Sequence, residues 1–471
     1  MQLRRVQDLV EEAAAIHREA LRLRSERKPE EAETKYKIAE DMYNQILNKV
    51  VGDAVVSYFL GTLYMERGWN GLAIQLLSTA VQNAPDWGEA WNNLGICFIR
   101  EHRPVEADEF FANAEEYLPE TSDIPANRSS IYINNGTPQT ALGHAERCLK
   151  IDPENKLGKW HKALALLEMG KFKEAWPLHE NRLNNSVGVQ IAPRDYGKPR
   201  WDGKKKKVVI HGEQGLGDEI MFASCIPQAR SRAEKLVLEC APRLEGLFRR
   251  SFPTVDVVGT HKLDGSDLPF DIDAWCPLGS LPLLLKRNHP RDFPQAPYLQ
   301  AHAEAAAELR GRGDGRPRVG FAWQGGVDRT RIDLRSVSLD ALKPILSMDA
   351  DFVPLQYTPH AKDELAAFNE RSGLNIQYYP EAAAQDMDAP AALVASCDLV
   401  ISVCQTAVHL AGGLGVPCWT ITPSRASWRY MTKGKKMPWY GGNEMFRQVG
   451  DDWDKPLKEI EDRLGTHLQR I

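Results

Sequence analysis

The sequence predicts an α-helical repeat solenoid followed by two α/β halves, each built on a parallel sheet. Three observations carry that expectation. Proline recurs at Pro85, Pro119 and Pro153, each 34 residues after the last. After Lys204–Lys207 the helical period gives way to short apolar runs alternating with helical stretches. A segment rich in Pro, Arg, Asp and Gly, about 288–318, separates two sets of such runs. Strands alternating with helices imply parallel sheets with right-handed crossovers. Two such halves imply a cleft at the carboxyl ends of their strands, where ligands of such sheets bind.

The repeat period is carried by more than proline. Ala73, Ala107, Ala141 and Ala175 are in register, as are Gly61, Gly95, Ser129 and Ala163. Tyr64, Phe98, Tyr132 and Leu166 form a third set. Gly68, Gly136 and Gly170 form a fourth, with His102 in the missing place. Small residues at fixed points let antiparallel helices approach, the large residue fills the gap, glycine turns the chain, and proline ends the second helix. This resembles the tetratricopeptide repeat. Four repeats are expected over about 54–187. Ala32 and Ala39 repeat the spacing of Ala73 and Ala80, so residues 1–52 read as a degenerate repeat plus a polar cap, and the array as 1–190. One repeat cannot bury its own apolar face, so stacking supplies the core. The resulting groove reads as a docking site for a peptide or protein, as a spacer or dimerisation arm, or as a surface that packs on the next domain.

The first α/β half, 200–300, has strand candidates at 208–212, 236–240, 255–259 and 271–276, with a helix from about 218 to 230. The second, 314–450, has them at 318–324, 351–357, 374–379, 398–403 and 417–422. The Lys204–Lys207 run reads as a solvated lead-in to a strand. Leu457, Ile460, Leu464 and Leu468 give 453–471 the spacing of an amphipathic terminal helix.

Composition bounds the chemistry. With 59 basic and 64 acidic side chains among 471 residues, the net charge is -5, and no bulk positive field favours nucleic acid or an anionic membrane. No run of about 18 uncharged apolar residues occurs, and the N-terminus lacks the apolar core of a secretory signal. None of the eight cysteines forms a CxxC pair, so they read as small buried hydrophobes in a reducing cytoplasm, and no spacing supports a zinc site.

Three loops carry candidate chemistry. Gly212-Glu213-Gln214-Gly215-Leu216-Gly217-Asp218 joins a strand to a helix, where glycines permit close approach of a ligand and the helix start offers free N–H groups. Asp218 is either a chemical group or a helix N-terminal acid. The loop lacks the order of a dinucleotide fingerprint and the Lys of a P-loop. Trp323 to Ser336 contains Arg329, Arg331 and Arg335, suited to bidentate phosphate binding or to a solvated surface. Val403 to Gly415 ends a strand and starts a helix near Thr406. Such a start is a ready anion site, with His409 one turn in as a donor or a packed polar residue.

Together these residues resemble the heptosyltransferase-like glycosyltransferases, family 9 and its repeat-bearing relatives. The resemblance is carried by Gly215–Asp218 with Pro227 closing the helix, Trp323–Ser336, and Thr406–Gly412 with Pro417 beyond. Arg200–Gly203 and Pro438-Trp439-Tyr440 are also similar to the repeat-bearing members. It implies a GT-B pair of Rossmann-like domains, with a nucleotide-sugar on the C-terminal half, the acceptor on the N-terminal half, and the terminal helix crossing back to the N-terminal half. Asp218 becomes the catalytic base and Arg335 the phosphate partner, with Arg331 in reserve. Thr406, His409, Gln356 and Gly412 fall on the donor side, Gly412 and Gly413 letting their helix pack close to the sheet. Glu213, Gln214, Gly215 and Gly217 form the acceptor-side loop. Cys404 stands where many members have an acid, and Arg where many have Lys, so hexosyl, heptosyl and nonulosonyl donors all stay open. No DxD pair occurs in these loops, so no metal and no cofactor are expected beyond the nucleotide-sugar co-substrate. The resemblance implies inversion. The acceptor that the resemblance implies is a protein docked in the repeat groove, flagellin-like or otherwise, or a glycan. The alternative is a non-catalytic repeat scaffold with a degenerate glycosyltransferase fold.

Overall fold

The computed structural model describes residues 2–26, 28–183, 194, 196–262, 265–326 and 332–470. Its contacts divide the chain into two units, Met1–His161 and Lys162–Ile471.

The first unit is a stack of helical hairpins: α1 (Gln2–Ser25) with α2 (Pro29–Leu47), α3 (Ala54–Glu66) with α4 (Asn70–Asn83), α5 (Gly88–Arg100) with α6 (Pro104–Tyr117), and α7 (Asp123–Asn134) with α8 (Pro138–Ile151). The first half of α9 (Lys156–Glu168) completes it. Ala73, Ala107 and Ala141 are fully buried where paired helices touch. A Cβ on Gly95 would lie 2.7 Å from the Phe111 ring, so only glycine lets that ring close on α5. At the equivalent point Ser129 donates to the Ala141 carbonyl at 2.8 Å. Pro85, Pro119 and Pro153 each stand two residues beyond the second helix of a hairpin. The turn register is left-handed at four successive hairpins, with φ of 82°, 68° and 72° at Gly68, Gly136 and Gly170, and 59° at His102. The segment expected to be a degenerate repeat is a complete hairpin, with α1 running for 24 residues.

The second unit starts inside α9, so the expected array limit at 190 is not where the contacts divide. The reason is α10 (Phe172–His179), whose Phe172 and Trp176 are buried among Phe222, Phe293, Trp428 and Trp439 of the α/β region. The Trp176 indole donates to the Arg287 carbonyl at 2.6 Å.

The N-terminal half contains β1 (Lys207–His211), α11 (Leu216–Ala223), α12 (Ile226–Arg232), β2 (Lys235–Cys240), α13 (Glu245–Ser251), β3 (Asp256–Gly259), β4 (Ala274–Pro277) and α14 (Leu281–Leu284). Its four strands lie in the order β3-β2-β1-β4, all parallel. α15 (Ala303–Gly311) follows in the connecting segment. The C-terminal half contains β5 (Arg318–Ala322), α16 (Leu339–Leu346), β6 (Asp351–Pro354), α17 (Ala361–Ser372), α18 (Asp388–Ala395), β7 (Leu399–Val403), α19 (Thr406–Leu414), β8 (Cys418–Thr422), β9 (Asn443–Arg447) and α20 (Asp454–Leu468). Its order is β6-β5-β7-β8-β9, again parallel. β5, β7 and β8 are buried at every residue, which is why they read as unbroken apolar runs. Two helix-connected parallel sheets in one chain form the GT-B layout that the resemblance implies.

Four details differ from expectation. Residues 374–379 form no strand, because the Asn369 side chain captures both backbone groups of Ile376, at 3.2 and 2.9 Å. An unexpected strand, β9, adds to β8. The expected helix over 218–230 is two helices, and Pro227 stands in the first turn of α12 instead of closing α11. α20 does not cross back to the N-terminal half: Leu457, Ile460 and Leu464 pack into the C-terminal half's own core with Trp419 and Phe446. All eight cysteines are buried free thiols. No described helix is long and apolar enough to cross a membrane.

Candidate functional site

Within the second unit, helices α11 and α19 each begin at the carboxyl end of a central strand, β1 and β7, and pack against each other across the two halves. Their first turns touch: a Cβ on Gly217 would lie 3.0 Å from the His409 ring. Beside this crossing opens a cavity of about 290 Å³. Asp218 and Gly217 line it from the N-terminal half. Arg335, Thr406, His409 and Arg429 line it from the C-terminal half, together with Cys404, Gln405 and Tyr430. The three loops singled out in the sequence thus reach one opening, although they are up to about 200 residues apart in the chain. Arg329 and Arg331 lie outside the described residues.

A second cavity of about 420 Å³ shares Tyr357, Gln405 and Thr406 with the first. Leu355, Met387, Leu393 and Leu410 give it an apolar wall, and Leu216 and Arg243 close it from the N-terminal half. Arg243 holds the halves together there by donating to the Ala384 carbonyl at 3.0 Å.

Asp218 does not stand free. Its Oδ1 accepts from both Nε and Nη2 of Arg429, and Arg429 Nη2 also reaches the Gln214 amide oxygen at 3.2 Å. Gln214 adopts φ of 67°, a left-handed conformation uncommon for a residue other than glycine. The His409 Nδ1 meets the Tyr440 hydroxyl at 2.9 Å. Burial first, and the Arg429 charge second, push the His409 imidazole down to about 3, so it is neutral near pH 7. Burial pushes the Cys404 thiol up to about 12, so it offers the cavity no thiolate near pH 7. Burial also pushes Glu219, next to Asp218, up to about 7; its carboxyl accepts from the Ala241 N–H at 3.0 Å.

Three residues expected at the site serve elsewhere. Gln356 is fully buried and does not line the cavity; its amide oxygen accepts from the Trp323 and Gln324 N–H groups at 3.3 and 3.1 Å, and its nitrogen donates to the Gln324 carbonyl at 3.0 Å. It pins the loop after β5. Glu213 faces away from the opening into a buried pair with Arg182, at 2.6 and 2.9 Å, and accepts from the Gly279 N–H at 2.8 Å. Burial alone would raise its carboxyl; the Arg182 guanidinium overrides that and holds it below the usual range. Gly412 meets the Tyr440 ring, where a Cβ would overlap it, so it serves packing. Gly413 lies against Leu299 of the connecting segment and accepts from the Tyr298 and Leu299 N–H groups at 2.9 Å each. Gly215 caps the start of α11.

Arg429 was not singled out from the sequence. It lies after β8, in a stretch with no glycine motif, yet the rule that ligands gather at strand carboxyl ends points to that segment too. Among the described residues, no group of three or more His, Cys, Asp or Glu side chains is gathered as a metal-ligand set.

No protein-family model matches the chain. Over 402 residues it is 30% identical to Protein FlbA of Caulobacter vibrioides, an alignment covering 78% of this chain and 65% of FlbA. Over 102 residues it is 28% identical to Protein O-mannosyl-transferase TMTC3 of Homo sapiens, covering 21% of this chain and 11% of that protein. The chain therefore spans less than two thirds of the length of either relative. The solved structure of Escherichia coli ADP-heptose LPS heptosyltransferase II aligns at 14% identity and a TM-score of 0.41, covering 56% of this chain and 99% of that one.

Proposed function

We propose that the chain is a glycosyltransferase that moves a sugar from a nucleotide-sugar to an acceptor hydroxyl, without a metal and with inversion. The observation that carries this reading is one opening in which a carboxylate, Asp218, faces two guanidinium groups and a helix N-terminus across the seam between two Rossmann-like halves. The adjoining apolar cavity of about 420 Å³ suits a nucleoside.

In this reading the acceptor oxygen attacks the anomeric carbon and its proton passes to Asp218. The bond from that carbon to the phosphate oxygen breaks, and the electron pair leaves with the nucleotide. The developing charge falls toward Arg335 and the first N–H groups of α19 at Thr406, donors already in place where charge develops. Neutral His409 offers a polar ring edge to the same spot without adding charge. Among the described residues lining the cavity Asp218 is the one carboxylate; acting as base in a single displacement, it would give inversion. The repeat unit, a stack of hairpins, suits a protein or peptide acceptor.

A thermal-shift screen of the full chain against nucleoside mono- and diphosphates tests the reading, since a ligand of the folded state raises the melting point. One base is expected to stand out. With the matching nucleotide-sugar, slow donor turnover is expected in the wild type and a fall of about 10²–10⁴-fold in Asp218→Asn. A panel that gives neither binding nor turnover rejects the enzyme and leaves a repeat scaffold.

A further inference from the structure

We propose that Arg429 is a clamp on Asp218 that the phosphate of the donor releases. This rests on the glycosyl-transfer reading above and adds an order to it: the base becomes usable only after the donor has arrived.

The argument starts from one contested guanidinium. Arg429 spends two of its N–H groups on a single oxygen of Asp218. An oxygen so engaged presents its lone pairs to Arg429 and not to an acceptor hydroxyl, and the guanidinium holds the negative charge that Oδ1 shares with Oδ2. Both side chains line the cavity, and both keep partial exposure, 14% for Asp218 and 19% for Arg429, so an incoming anion can reach the pair. The backbone of Arg429 is fixed, because the Trp439 indole donates to its carbonyl at 2.7 Å. What can swing is the side chain, whose guanidinium lies 4.8 Å from the Trp428 ring centre.

Charge sets the direction of the exchange. Among the described lining residues Asp218 is the one carboxylate, against Arg335 and Arg429. A phosphate brings more charge and more acceptor oxygens than Asp218, and guanidinium binds it in the same forked geometry. Arg429 then passes from carboxylate to phosphate. Asp218 is left unpaired beside a new anion, an arrangement that favours its taking a proton. The proton it takes is the one released by the attacking hydroxyl, and Arg429 ends on the leaving phosphate, where negative charge accumulates. Before donor arrives, the same contact keeps the base from acting on water.

The clamp makes a thermodynamic prediction that a purely structural ion pair does not. If phosphate must compete with Asp218 for Arg429, removing the carboxylate should tighten phosphate binding, and only while Arg429 is present. Titration calorimetry on the full chain would use whichever of ADP, GDP, UDP, CDP and their monophosphates gives the largest melting shift, with the matching phosphate-free nucleoside as control. Asp218→Asn is expected to bind the nucleotide about tenfold tighter, a coupling common between contacting charged groups. Arg429→Gln is expected to bind it more weakly, and Asp218→Asn is expected to add nothing in that background. The nucleoside should bind all variants alike.

An equal gain from Asp218→Asn with and without Arg429 would mean that only like-charge repulsion had been removed, and the clamp falls. No gain in either background, or a gain shared by the nucleoside, also overturns it. If nucleotide binds the wild type but these differences are missing, the clamp alone fails. If no nucleotide binds the wild type or either variant, the glycosyl-transfer reading fails and takes the clamp with it.

Discussion

Arg182 and Glu213 meet in an ion pair whose side chains are 0% and 1% exposed. Arg182 follows α10; Glu213 opens the loop that leads to Asp218. The guanidinium also reaches Glu180 at 2.9 Å and the Ser280 hydroxyl at 2.9 Å. The end of the last repeat helix is therefore bolted to the loop that carries the candidate base.

Breaking that pair leaves a buried charge without a partner. Arg182→Met is expected to cost about 3–5 kcal/mol of stability in denaturant unfolding, and Arg182→Met with Glu213→Leu to recover most of it. The Glu213 carboxyl is held low in the fold, so its contribution is present above the usual carboxylate range and is lost as pH falls through the folded value. The acid-induced loss of stability should be shallower in the double variant than in the wild type.

Glu219 has the opposite sign. Its folded carboxyl ionises at about 7 against an ordinary value of 4.5, so between those values the folded chain binds the extra proton and stability falls as pH rises. Glu219→Gln keeps an oxygen for the Ala241 N–H and removes the titration. Its stability should lack the loss of about 2 kcal/mol that this carboxyl contributes to the wild type between pH 5 and 7.

His102 sits at φ of 59° at the register position that Gly68, Gly136 and Gly170 fill. A side chain costs about 1–2 kcal/mol in that conformation, part of which glycine gives back through a freer unfolded chain. His102→Gly is expected to raise stability by about 0.5–1 kcal/mol, read as slower hydrogen exchange in α5 and α6.

His409 stays neutral down to about pH 3. No limb of an activity profile between pH 5 and 9 should therefore belong to it, and His409→Asn should lower turnover without moving either limb. A shifted limb in that variant would contradict the neutral ring.

Much of this architecture was written in the local pattern. Strands buried on both faces, such as β5 and β7, stood out as apolar runs. β9 did not, because Asn443-Glu444-Met445-Phe446-Arg447 mixes polarities at a sheet edge. Residues 374–379 had strand composition, and a single side chain, Asn369, decided otherwise. The repeat register through Ala175 correctly placed a helix at α10 but carried no information about the partner of its other face. Asp218, Arg335, Thr406 and His409 were marked by strand-to-helix turns, and all four line the cavity. Gln356 sat at a similar strand end, where a loop needed its amide more than a ligand could. Arg429 carried no motif; its position follows from where β8 ends.

The aromatic packing of α10 has a practical consequence for anyone who wishes to dissect the molecule. A truncated chain begun at residue 200, at the start of the first strand-bearing half, would strip the cover from Phe222, Phe293, Trp428 and Trp439 and delete the partner of Glu213. Such an apolar face invites aggregation. A fragment that retains the whole of α9 and α10 is the shorter version to express, and failure of the smaller one would say nothing about whether the α/β halves need the repeats.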